Sequence, residues 1–134
     1  MNPEEQNIEK TYRDYVKAFE TLEPNAVLPY YHTPCMIISS KKVYTLTTPE
    51  EIAANFAMGM EALRKVDYAR TDIVDLEINL KGVGVAVVSA DLKRYTRDGK
   101  QLGSQGGIYR YTYTFRKQED NWRVVAAISH DPNY

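Results

Sequence analysis

Tyr109-Arg110-Tyr111-Thr112-Tyr113-Thr114-Phe115-Arg116 decides the fold of this chain. Successive β-strand side chains point to opposite faces, and a period of two is the mark of a strand. One face here is wholly aromatic, with Tyr109, Tyr111, Tyr113 and Phe115. The other carries Arg110, Thr112, Thr114 and Arg116. Working outward, residues 106–117 form a strand ended by the polar Gln118-Glu119-Asp120-Asn121, and residues 122–129 form the last strand. Upstream, residues 69–80 end at Lys81-Gly82, and residues 83–96 end at the turn sequence Arg97-Asp98-Gly99-Lys100. The second half of the chain is therefore a meander of four long antiparallel strands.

The first half supplies the cover for that sheet. Asn2 caps a helix with Pro3 in its first position and Glu4 and Glu5 at the positive end of its dipole. Ile8, Tyr12, Tyr15, Val16, Phe19 and Leu22 recur at three- and four-residue spacing on one stripe, and Glu23-Pro24 ends it. Residues 25–31 form a short second helical turn closed by Thr33-Pro34. Residues 35–39 and 43–46 pair as a hairpin across Ser40, Lys41 and Lys42. Thr48-Pro49-Glu50-Glu51 starts a third helix, with Thr48 and Glu51 as a capping box, and Ile52, Phe56, Met60 and Leu63 as its apolar stripe. The expected fold is α+β, in the order α-α-β-β-α-β-β-β-β. A curved mixed or antiparallel sheet wraps around three helices in one domain, residues 1–134.

With 134 residues, 43% of them apolar and 26% charged, the chain has the composition of one globular domain. A net charge of −1 gives no basic footprint for nucleic acid or a charged membrane surface. The longest apolar runs, such as Val85-Ala86-Val87-Val88, are far short of the ~20 residues of a membrane span. Met1-Asn2-Pro3-Glu4-Glu5 is acidic and unlike a secretory leader, so the expected location is the cytoplasm. Cys35 is the single cysteine, which excludes an internal disulfide; with two histidines it also excludes the common structural zinc sets. Gly103-Ser104-Gln105-Gly106-Gly107 leads into a strand and lacks a following Lys-Ser/Thr, so it is a flexible segment or bulge and no nucleotide loop. No metal or cofactor is expected. The aromatic content is unusual, with 11 tyrosines against 3 phenylalanines and 1 tryptophan.

This order of elements resembles the nuclear transport factor 2-like superfamily, also called SnoaL-like or the cystatin-like cone. The resemblance rests on Tyr15-Val16-Lys17-Ala18-Phe19 running to Tyr30-Tyr31, on Thr48-Pro49-Glu50-Glu51-Ile52, and on the closing Trp122-Arg123-Val124-Val125 after a polar turn. It covers nearly the whole chain and is specific for fold, because this scaffold serves many roles. It implies an internal pocket lined from the first helix, the first strand and the inner sheet face, and a homodimer formed through the outer sheet face. The superfamily includes ketosteroid isomerase, scytalone dehydratase and polyketide cyclases, and also non-catalytic association domains. Alignment with ketosteroid isomerase implies that Tyr15 matches its oxyanion-donor tyrosine and Tyr111 falls near its second donor. Ser39 stands where that enzyme has its catalytic aspartate, so isomerisation of that kind is not expected.

The candidate catalytic residues are Tyr15 and Tyr111 as hydrogen-bond donors and His130 as a base, the last because imidazole exchanges protons near neutral pH. Asp131 beside it points to the opposite face, so adjacency makes no dyad, and a solvated chain-end histidine is the competing reading. His32 stands where the rim of the cone is expected. Tyr12, Tyr31, Phe56, Tyr109 and Tyr113 are candidate ligand-binding residues; the competing reading is that they fill the core. Asp14 is expected to face water, and Cys35 to be a small buried side chain. Val85 to Val88 make their strand apolar on both faces, which calls for a second covering surface, here a second copy of the chain. The expected function is binding of a small hydrophobic or polyketide-like molecule, with lyase- or isomerase-like proton transfer as the chemistry if there is any. The alternative is a non-catalytic dimerisation or accessory module with a filled cone.

Overall fold

The structure is a computed structural model that describes residues 1–103 and 106–130. It contains α1 (Pro3–Glu20), α2 (Pro24–Val27), a 3-10 turn (Leu28–Tyr30), β1 (Tyr31–Ile38), β2 (Val43–Leu46), α3 (Pro49–Lys65), β3 (Tyr68–Leu80), β4 (Val85–Thr96), β5 (Ile108–Gln118) and β6 (Asn121–Ser129). This is the expected α+β order. The six strands form one sheet in the order β2-β1-β6-β5-β4-β3, and the β1–β6 pair is its parallel contact. The sheet is therefore mixed, and β3 to β6 are the antiparallel meander.

Two local details differ from the sequence expectation. Tyr31 does not end a helical turn; it opens β1, and the strand carries through Thr33-Pro34, where the peptide bond is cis. The register between β1 and β6 shifts between Tyr31 and Met36. Glu51 does not close a box on Thr48. The Thr48 hydroxyl accepts from Glu51 N at 3.1 Å, but the Glu51 carboxylate reaches one residue further, to the backbone N and hydroxyl of Thr47 at 2.6 and 2.9 Å. The reciprocal box is found instead at α1, where Glu5 N donates to Asn2 Oδ1 and Asn2 N donates to Glu5 Oε1. Residues Ser104 and Gln105 of the glycine-rich segment, and Asp131, lie outside the described residues.

The core sits between the helices and the inner sheet face. Ile8, Tyr12, Tyr15 and Val16 of α1, Ile52 and Met60 of α3, Ala86, Val88, Ala90 and Leu92 of β4, and Tyr113 and Phe115 of β5 are all buried. The aromatic phase of β5 thus faces inward, as its alternation requires. Arg64 of α3 donates to the carbonyl of Leu22 at 2.7 Å, and Glu20 accepts from Thr71 N at 2.9 Å. These two bonds tie the end of α1 to α3 and to β3. They fix the angle at which the helices stand off the sheet, and so the space between them. Among the described residues, no helix is long and apolar enough to cross a membrane.

Candidate functional site

The helices do not fill the cone. A cavity of about 360 Å³ lies between α1, α3 and the sheet. Its wall is built from Tyr12, Tyr15 and Phe19 of α1, Tyr31 and Ile37 of β1, Phe56 and Leu63 of α3, and the inner phases of β3 to β6. Gly59 and Ala62 of α3 belong to the wall and are exposed, so α3 frames the mouth.

Six of the eight residues singled out from the sequence meet here: Tyr12, Tyr15, Tyr31, Phe56, Tyr111 and Tyr113. Their phenols do not all point at open space. Tyr12 and Tyr113 share a hydroxyl–hydroxyl hydrogen bond at 3.1 Å, and Tyr15 and Tyr31 share one at 3.0 Å. Each pair joins a helix to a strand. The rings also pack on one another, with centroids 5.2 Å apart for Tyr12 and Tyr113, 5.6 Å for Tyr15 and Tyr31, and 5.0 Å for Tyr31 and Phe56. Burial pushes the phenols of Tyr12, Tyr15, Tyr31 and Tyr113 above the ordinary tyrosine value. They are neutral near pH 7, able to donate and accept hydrogen bonds and unsuited to act as bases.

The other two sequence candidates lie elsewhere. Tyr109 is on the inner phase of β5 but is not part of this wall; its ring lies against the Arg94 guanidinium, with 4.5 Å from Cζ to the ring centroid. It borders a separate smaller cleft with Gly103, Gly107 and His130. His130 is exposed, and its Nε2 is 2.8 Å from the Thr112 hydroxyl. Thr112 belongs to the phase opposite Tyr111 and Tyr113, so the imidazole is on the outer sheet face, away from Tyr15. The other histidine is on that side as well. His32 Nδ1 is 2.9 Å from the Pro34 carbonyl and its Nε2 is 3.2 Å from Arg116 Nη1. Ser39 serves the β1–β2 hairpin, where its hydroxyl accepts from Lys41 N and Lys42 N. Asp14 pairs with Lys10 at 2.7 Å on the surface, and burial pushes the Cys35 thiol up to about 11. Among the described residues, the cavity wall carries no carboxylate and no imidazole.

Arg94, a strand residue whose facing the sequence leaves open, is the charged member of the wall; the polar Asn55, Thr71 and Ser129, which the sequence did not point to, also line it. Arg94 follows Ala86, Val88, Ala90 and Leu92 on the inward phase of β4. Its Nη2 donates to the Tyr111 hydroxyl at 3.1 Å, and its guanidinium lies 5.5 Å from the Phe19 centroid. Its Nε is shielded from solvent and has no hydrogen-bond partner among the described residues. The signal was present in the sequence: an arginine continuing a run of small and apolar residues at every second position.

The site can therefore hold a small, largely apolar molecule and offer it a cation and a phenol. A cavity of this size falls in the range of known ligand pockets, roughly 300–1,000 Å³.

Comparison with known proteins agrees on the fold. The Aln2 protein of a Streptomyces species superposes with a TM-score of 0.78 at 14% identity, covering 99% of this chain and 94% of that one. An NTF2-like protein with a cystatin-like fold from Novosphingobium aromaticivorans gives 0.76 at 14% identity, covering 96% and 82%. A putative calcium/calmodulin dependent protein kinase II association domain from Xanthomonas campestris gives 0.69 at 18% identity, covering 95% and 87%. At these identities the likeness shows the fold and no activity. No curated protein matches the chain. One family model matches residues 4–132, almost the whole length. The chain belongs to that family, described as NTF2-like protein (DUF6841).

Proposed function

We propose that this protein binds a small hydrophobic molecule inside the cone. The observation that carries this reading is the cavity, whose largely aromatic and aliphatic wall holds one charged side chain, Arg94, bonded to Tyr111. A cone serving only as scaffold would gain stability from closing that space, because each unfilled volume forfeits packing contacts. The wall instead keeps a mouth at Gly59 and Ala62 and places a cation among rings. Binding is preferred over lyase- or isomerase-like turnover. The buried phenols are poor bases, and His130 bonds to Thr112 on the other face of the sheet.

The test is calorimetric titration with 2-naphthol, a two-ring probe. A cavity of about 150 Å³ suffices for benzene, so about 360 Å³ accommodates the second ring. The expected result is saturable one-site binding with Kd of about 100 μM or tighter, weakened at least tenfold by Ala62→Trp, which narrows the mouth. No saturable binding of 2-naphthol to the wild-type chain overturns the reading.

A further inference from the structure

We propose that the ligand is a monoanion, a one- or two-ring molecule bearing a carboxylate, and that Arg94 and Tyr111 hold its acid group. This rests on the binding reading above and names the chemistry of that site. The guanidinium of arginine is charged at any physiological pH. Placing it among rings costs free energy unless a negative partner compensates it. The chain compensates several of its more exposed arginines: Arg110 with Asp91 at 2.6 Å, Arg13 with Glu9 at 3.0 Å and Arg70 with Asp72 at 3.3 Å. Arg94 is the reverse case. Among the described residues, no carboxylate oxygen lies within 4.0 Å of it. The carboxylate of Glu20, at the end of α1, is engaged with Thr71 N of the adjoining strand β3.

The remaining contacts point the same way. Arg94 meets Tyr111, Tyr109 and Phe19 through a hydrogen bond and ring faces, and none of these neutralises its charge. The Tyr111 oxygen accepts from Nη2, which leaves its own proton for an acceptor. A carboxylate beside the pair would accept from both groups and supply the missing negative charge. One guanidinium balances one charge, which favours a monoanion over a phosphate dianion. Apart from the small polar side chains of Asn55, Thr71 and Ser129, the rest of the wall is ring and aliphatic, which suits a flat, largely apolar body.

The experiment compares 2-naphthoate with 2-naphthamide by calorimetry at pH 7.4. The two probes share ring system and size; the amide is neutral and presents an amino donor where the carboxylate presents a second acceptor. In the wild-type chain 2-naphthoate is expected to bind at least tenfold tighter. Arg94→Gln is expected to erase that preference while 2-naphthamide still binds, and Arg94→Lys to keep part of it. Equal or tighter binding of 2-naphthamide by the wild-type chain overturns the anion inference and leaves the binding reading standing. No binding of either probe or of 2-naphthol removes both. The wild-type comparison decides the matter even if Arg94→Gln fails to fold.

Discussion

Arg94 donates to the Tyr111 hydroxyl at 3.1 Å although the two residues are not partners in the sheet; Tyr111 is paired with Ala90, and Arg94 lies four residues further along β4. The long arginine side chain therefore runs back over the inner sheet face toward Tyr111. Its charge is brought onto the cavity wall rather than out to water, and the phenol oxygen is saturated from one side only.

Tyr111→Phe tests that arrangement. It removes the acceptor of Nη2 and the donor proposed for the ligand. A hydrogen bond to a charged group contributes about 1.5–3 kcal/mol, so the affinity for 2-naphthoate should fall at least tenfold with the fold unchanged. Calorimetry checks the first part and circular dichroism the second. Unchanged affinity removes Tyr111 from the site.

Arg94→Met should stabilise the ligand-free protein. It exchanges an uncompensated cation among rings for an apolar chain of similar length, and such exchanges are often neutral or favourable. The expected gain is about 1 kcal/mol, or about 3 °C in Tm, read by thermal denaturation. A lower Tm would mean that the ring contacts of Arg94 outweigh the cost of its charge.

The Tyr12–Tyr113 hydroxyl pair, 3.1 Å apart in the core, should behave as one unit. Tyr12→Phe and Tyr113→Phe each leave one buried hydroxyl without a partner, at about 1–2 kcal/mol. The double variant leaves none, so it should be no less stable than either single one, with a coupling of about 1 kcal/mol in a double-mutant cycle. Strict additivity under urea denaturation would contradict this.

Alkaline pH should unfold the protein cooperatively. Burial raises the phenols of Tyr12, Tyr15, Tyr31 and Tyr113 in the folded state. The unfolded chain loses those protons near pH 10. Groups with raised folded values contribute stability that is complete below the unfolded value and is lost as pH rises toward the folded one. Each such phenol withdraws up to about 1.4 kcal/mol per pH unit above about pH 10. Absorbance at 295 nm should therefore show exposed tyrosines titrating smoothly and the buried ones appearing together with loss of secondary structure. A single smooth titration with the fold intact would contradict the buried assignment.

The outer sheet face should pair with a second copy of the chain. Met36, Ala126, Thr114 and Val87 lie side by side across β1, β6, β5 and β4, and Met36, Val85 and Ile128 are exposed. This row carries no charge and can meet itself across a twofold axis. Light scattering at micromolar concentration should give a dimer, and Ile128→Asp a monomer. A monomeric wild-type chain would refute it.

Legibility from sequence followed the length of each repeat. The rings of β5 alternate over eight residues, so face and burial could be read directly. The stripe of α1 was equally clear, and together they located the aromatic interior. Arg94 was harder, because its facing depends on the phase of β4, and that strand is apolar on both faces around Val85 to Val88. His130 needed the β5–β6 register, which places it beside Arg110 and Thr112 on the outer face. Tyr31 needed the start of β1, hidden by Pro29 and Pro34. The cavity itself follows from how far the helices stand off the sheet. That distance is set by tertiary contacts such as Arg64 to Leu22 and Glu20 to Thr71, which no local pattern announces.

The most direct measurement is the electron density of the interior in crystals grown with 2-naphthoate. The account predicts the ring system in the cavity against Phe56 and Leu63, with the carboxylate within about 2.7–3.1 Å of both the Arg94 guanidinium and the Tyr111 hydroxyl. An interior without the probe, or a probe whose carboxylate turns to the mouth at Gly59 while Arg94 keeps no anionic partner, would contradict it.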